Sequence, residues 1–133
     1  MRAGRQGFTF DTGMLIALER RQQRALQLCR EARLTGTPVT VLAAVIGEWW
    51  RGRTDVRDDI LASVHVEPLT EDIAKLAGLA CAKLKDVEAA MTIDAYVMAS
   101  AALRGDVVFT SDVDDLTRLQ SFFPSVRVLS VGA

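Results

Sequence analysis

Five short runs rich in β-branched and aromatic residues, 7–11, 39–42, 64–68, 106–110 and 126–131, are separated by segments of helical character. That alternation is the strongest constraint on the fold. Each gap is long enough for a crossover connection, which parallel strands require and hairpins do not. Crossover helices cover both faces of such a sheet. The expected class is therefore α/β, a three-layer α/β/α sandwich with a mainly parallel central sheet.

Between the strands, 12–34 reads as one helix, with Leu15, Leu18, Leu26, Leu28 and Cys29 apolar within an Arg-rich exterior. Gly36-Thr37-Pro38 breaks it. Further helices are expected over 43–53 and 55–62, and over 70–85 with Thr70 as cap and Asp72 near the start. The stretch 86–91 has no clear period. Thr92 reads as the cap of a helix over 93–104 that Gly105 stops. Asp112 caps a helix to about residue 122, with Asp115 placed as in a capping box. Met14, Met91 and Met98 read as core fillers.

A length of 133 residues suits one domain spanning 1–133, and half the residues are hydrophobic, as in ordinary globular proteins. No apolar run approaches the ~20 residues that span a bilayer. The basic N-terminus lacks an apolar signal core, so a cytoplasmic location is the default. Cys29 and Cys81 read as buried free thiols, and no Cys/His spacing for zinc exists, His65 being the only histidine. Net charge is −1, but residues 1–57 carry ten Arg against five acids, while 58–133 carry six basic and twelve acidic residues. That asymmetry suits a phosphate-binding surface on one side, and equally solvated helix faces.

Acids gather where an open parallel sheet binds ligands, beyond the C-terminal strand ends. Asp11 closes the first strand and Asp112 follows the fourth. Asp94 stands in the first turn of its helix, and Glu48 two turns into the helix after the second strand, reaching inward if Leu42, Val45 and Trp49 pack on the sheet. Four converging carboxylates repel unless a cation neutralises them. Oxygen-only donors favour Mg²⁺ or Mn²⁺ over zinc. Such an ion stabilises the charge of a phosphoryl transition state, so the chemistry implied is phosphodiester hydrolysis. Two of the acids also have plainer readings, Asp112 as a helix cap and Asp94 as a complement to the helix dipole, whereas Asp11 ends an apolar strand expected to be buried in the sheet.

The segments FDTGMLIAL (10–18), AAVIGEWWRG (43–52), TIDAYVMASAALRG (92–105) and VFTSDVDDL (108–116), closed by VRVLSV, resemble the PIN-domain family, and within it the VapC toxins of toxin–antitoxin pairs. The likeness spans nearly the whole chain. It implies that Asp11, Glu48, Asp94 and Asp112 form a catalytic, metal-holding quartet, with Asp114 as an additional metal acid. Thr12, Thr110 and Ser111 match hydroxyl positions that assist ligands or the phosphate. Met91 stands where many relatives carry a further acid. The resemblance also implies an Mg²⁺- or Mn²⁺-dependent endoribonuclease acting on structured RNA such as tRNA or rRNA, and a homodimer blocked by a VapB-type antitoxin.

Arg51 and Arg53 flank the Glu48 helix within reach of phosphate, and Arg20, Arg21 and Arg24 read as a helical stripe for an RNA backbone. Trp49 and Trp50 lie about 100° apart on a helix, so one packs on the sheet while the other is open to a partner. His65 reads as a surface histidine rather than a base. Two enzymatic or signalling rivals fit poorly. A Mg²⁺-binding receiver domain needs an acceptor Asp after the third strand and a late Lys, but that strand ends Glu67-Pro68-Leu69 and no Lys follows Lys85. A phosphatase with an Asp nucleophile wants a second acid where Gly13 stands. A catalytically idle PIN-like binding module would be expected to have lost some of the four acids.

Overall fold

The strands are β1 (Phe8–Phe10), β2 (Val39–Leu42), β3 (His65–Glu67), β4 (Val107–Thr110) and β5 (Val128–Ser130), in a computed structural model that describes residues 6–84 and 91–132. They form one sheet in the order β3-β2-β1-β4-β5, and every pairing among the described residues is parallel. The helices are α1 (Thr12–Glu19), α2 (Gln23–Thr35), α3 (Ala43–Trp49), α4 (Asp55–Ala62), α5 (Glu71–Lys83), α6 (Thr92–Arg104) and α7 (Asp114–Gln120).

From β1 the chain steps outward through β2 to β3, then crosses to the other side of β1 for β4 and β5. Right-handed crossovers in opposite directions put their helices on opposite faces. Accordingly α1 packs with α2, α3 and α4, whereas α6 packs with α5 and α7 and lies across β1, β2 and β4. This is the expected α/β/α sandwich. Its core joins Phe10, Val41 and Val108 of the sheet to Met14 and Leu15 of α1 and to Val97 and Met98 of α6, all fully buried. Phe109 meets Phe8 and Phe10 edge-on, with ring centroids 4.7 and 6.3 Å apart.

Several local expectations need correction. The single helix expected over 12–34 is two: α1 ends at Glu19, Arg21 takes φ +57°, and α2 starts at Gln23. No Gly or Pro marks the break. Tertiary bonds make it, since Gln22 Nε2 donates to the carbonyls of Val131 and Gly132 (3.2 and 3.1 Å). Arg20, Arg21 and Arg24 therefore do not form one helical stripe.

The helix after β2 stops at Trp49 rather than 53. Thr92 is not the cap of α6, because the helix starts at Thr92 itself with Met91 before it. Gly105 stops α6 as expected, in a left-handed conformation (φ +77°) that a side chain would strain. Asp112 is not the cap of α7 either; that position is Val113, and Asp115 closes no capping box. The free thiols of Cys29 and Cys81 are half-buried rather than buried, and burial pushes the Cys29 thiol up. Of the segment 86–91, only Met91 falls within the described residues.

One polar network under α6 has no counterpart in the sequence reading. Arg104 bonds Asp106 Oδ2 (2.9 Å), Thr9 Oγ1 (2.7 Å), Ser100 Oγ (2.6 Å) and Glu67. Thr9 also donates to Asp106 (2.9 Å) and Ser100 to Glu67 (2.7 Å). Asp106 is 1 % exposed, so this guanidinium compensates a charge removed from water.

Candidate active site

β1 and β4 lie side by side while their outgoing connections diverge, which opens a crevice at their C-terminal ends. Phe10 is in register with Phe109, so Asp11 and Thr110 emerge together at that edge. Asp11 is 6 % exposed, and its Oδ1 accepts the Met14 N–H (2.8 Å), capping α1. Burial raises its pKa to about 6; the Thr110 hydroxyl and the Met14 amide work against that rise, and the Glu48 charge adds to it.

Gly13 lets this edge close without displacing the Ser111 hydroxyl. A Cβ there would stand 2.5 Å from Ser111 Oγ and 3.5 Å from Asp11 Oδ1. Its absence lets the first turn of α1 lie against the β4–α7 loop, bringing Ser111 beside Asp11. In that loop the Thr110 hydroxyl donates to the Asp112 carbonyl (2.9 Å) and accepts its amide (3.1 Å). Asp112 Oδ1 then accepts the Asp114 N–H (3.1 Å).

Asp94, half-buried in the first turn of α6, carries the largest electrostatic load. Its pKa rises to about 7, first through burial and then through the charges of Asp11, Asp115, Glu48 and Asp112. Asp94 is thus within electrostatic reach of the other three sequence-predicted acids. Glu48 is exposed, on the flank of α3 next to buried Val45 and Trp49, and Thr12 Oγ1 donates to its Oε1 (2.6 Å).

Two further residues escaped the sequence reading. Asp115, taken there as a cap, carries a charge that helps to raise the Asp94 pKa. With Val113 at the cap, Asp114 and Asp115 are successive residues of the first turn, about 100° apart. Asp115 also pairs with Arg118 at 3.6 Å. Glu19 is the second. Its two oxygens take the Trp49 indole N–H (3.0 Å) and the Arg57 guanidinium (2.8 Å), tying α1 to α3 and α4. No sequence signal pairs residues so far apart. Trp49 is the packed tryptophan; Trp50 is half-buried, its ring 6.1 Å from Trp49. Arg51 is exposed and donates to the Trp50 carbonyl (2.7 Å). His65 lies exposed on edge strand β3, away from this edge.

Among the described residues, no three Asp, Glu, His or Cys side chains are already drawn into a ready coordination shell. The donor set nonetheless fits a hard divalent cation. It is oxygen-only and partly withdrawn from water, and neighbouring carboxylate charges add to the burial that raises the pKa of Asp11 and Asp94, a cost that a bound cation removes. Among the described residues no helix is long and apolar enough to cross a membrane.

The family model of the PIN domain matches residues 9–120. No curated protein matches the chain. Among solved structures, VapBC2 from Rickettsia felis bound to a promoter DNA fragment aligns with a TM-score of 0.72 at 9 % identity, covering 92 % of this chain and 97 % of that one. DNA-bound VapBC from Salmonella typhimurium gives 0.69 at 16 % identity, covering 95 % and 98 %. The Sarcin-Ricin loop cleaving toxin VapC20 of Mycobacterium tuberculosis gives 0.60 at 20 % identity, covering 84 % and 94 %.

Proposed function

The chain belongs to the PIN-domain family, and from that premise we propose that it is a VapC-type toxin, a metal-dependent endoribonuclease that hydrolyses RNA phosphodiester bonds. The observation that carries the reading is Asp94, half-buried and surrounded by the charges of Asp11, Asp115, Glu48 and Asp112. Mg²⁺ or Mn²⁺ would be held by Asp11, Glu48, Asp94 and Asp112, with Asp114 or Asp115 for an additional contact. When bound, the cation supplies positive charge for phosphodiester hydrolysis.

The protein's own groups prepare that site. Asp11 and Asp94 are shielded from water, so opposite charge acts on them strongly. Thr12 orients the Glu48 carboxylate, and Thr110 fixes the Asp112 backbone. Ser111, close against Gly13, and exposed Arg51 would meet a phosphate. The single domain 1–133 would act in the cytoplasm, as a homodimer held inactive by a VapB-type antitoxin. Likeness to VapBC complexes and to a Sarcin-Ricin loop cleaving toxin supports a structured tRNA or rRNA target.

The test is RNA cleavage by the purified protein. Cleavage is expected with Mg²⁺ or Mn²⁺ and not in excess chelator. Sequencing the fragments released on induced expression identifies the target. Cleavage that continues in chelator overturns the metal mechanism.

A further inference from the structure

Helix α1 separates two hollows at the edge that carries the acids. One, of about 560 Å³, lies between α1 and the α3–α4 segment and is bordered by Glu48, Arg20 and Arg51. The other, of about 430 Å³, lies on the far side of α1, bordered by Gly13, Ser111 and Arg20. Arg20 is common to both. It caps the C-terminus of α1, its side chain is exposed, and no ion pair involving it is present among the described residues.

The opposite flank of the acid cluster carries the other sign. Asp112, Asp114 and Asp115 are exposed there, with Arg118 drawn to Asp115. A polyanion leaving the site is repelled by α7 and attracted toward α1 and α3. Not every arginine on that side is available. Arg57 is held by Glu19 and the Gly52 carbonyl, so it braces the wall of the hollow. Arg51 keeps most of its guanidinium open, using Nη1 on a neighbouring carbonyl.

We propose that Arg20 and Arg51 form a phosphate track that leads an RNA strand from the acid cluster over α1, on the side away from α7. The track rests on the ribonuclease reading for its ligand, and it adds the direction in which the substrate runs. An acidic peptide is the other polyanion such arginines could take. Glu48, an exposed member of the acid cluster suited to phosphodiester chemistry, borders the same hollow and favours RNA.

The test measures binding rather than cleavage. Full-length protein carrying Asp94→Asn is titrated, in chelator, into a fluorescently labelled single-stranded oligoribonucleotide of mixed sequence at several salt concentrations. Adding Arg20→Gln and Arg51→Gln together is expected to weaken binding roughly tenfold or more and to reduce the salt slope by about 1.4, about 0.7 for each lost phosphate contact. Arg30→Gln with Arg127→Gln removes the same charge from exposed positions elsewhere and is expected to do much less. Equal losses from both pairs, or an unchanged slope, overturn the track. A polyglutamate peptide that displaces the RNA with the same Arg20 and Arg51 dependence also overturns it, in favour of a peptide site. Failure of the ribonuclease reading looks different: the track binds RNA, yet wild-type protein cleaves none with either metal.

Discussion

Thr12 and Glu48 are joined by a hydrogen bond of 2.6 Å, from the hydroxyl of the first residue of α1 to Oε1 of an exposed acid in α3. Asp11 directly precedes Thr12 and caps the same helix, so one helix start holds a buried carboxylate itself and an exposed one through its neighbour. Glu48 would otherwise be a long, freely rotating side chain.

Thr12→Val removes that restraint while keeping the branched shape. A solvent-accessible hydrogen bond of this kind is worth about 1 kcal/mol, so the melting temperature should move little. Apparent Mn²⁺ affinity, measured by calorimetry, should weaken several-fold, and cleavage at limiting metal should fall with it. Wild-type metal affinity in the variant would show that Glu48 needs no such support.

Asp94→Asn should lower cleavage at saturating Mn²⁺ by about three orders of magnitude or more, a size consistent with losing a central electrostatic group. In chelator the same variant should melt no lower than wild type, because it deletes a charge that four other carboxylates oppose. Residual activity within tenfold of wild type would remove Asp94 from the catalytic set.

Metal-free stability should depend on pH in a defined sense. Folded Asp11 and Asp94 hold their protons to about pH 6 and 7, whereas the unfolded chain releases them near the ordinary value of 3.8. Between those values the folded state binds more protons, so its stability falls as pH rises from about 4 to about 7 and is fully present only below that window. Thermal melts in chelator should show this loss, Asp94→Asn should flatten it, and saturating Mn²⁺ at pH 7.5 should reverse it. The same slope in the variant would contradict the assignment.

Gly13→Ala should force the Ser111 hydroxyl to turn aside, since the new Cβ would lie 2.5 Å from it. Rotation of a serine is inexpensive and alanine favours the helix by up to about 1 kcal/mol, so stability should change by less than about 1 kcal/mol. Cleavage should drop about tenfold, as it should in Ser111→Ala. Full activity in both would leave Ser111 outside the site.

Arg104→Met should cost roughly 3–5 kcal/mol in urea unfolding, because it strands Asp106 without its compensating charge. A loss under about 1 kcal/mol would mean that the Asp106 carboxylate is held without Arg104.

Much of the molecule was readable from its residues in order. The alternation of apolar runs with crossover-length gaps specified a parallel sheet between helical layers. Asp11 at the end of β1, Asp94 at the start of α6 and Gly105 at its end were placed by local rules of capping and turn geometry. Those rules act within a few residues, so they misjudged helix starts such as Thr92 and Asp112 by only a position or two.

What lay beyond the sequence was set by contacts between distant residues. The strand order, with β4 beside β1, decides that Asp11 and Asp112 follow neighbouring strands along that edge. The break at Arg21 comes from bonds between Gln22 and the far C-terminal segment, not from a helix breaker. The start of α7 at Asp114 puts Asp114 and Asp115 both in its first turn, and the Asp115 charge acts on Asp94. Periodicity and caps are local energies that a linear reading can sum. The direction in which Glu48, Asp115 or Arg104 points depends on which surfaces meet across the sheet, and only the folded chain brings those surfaces together.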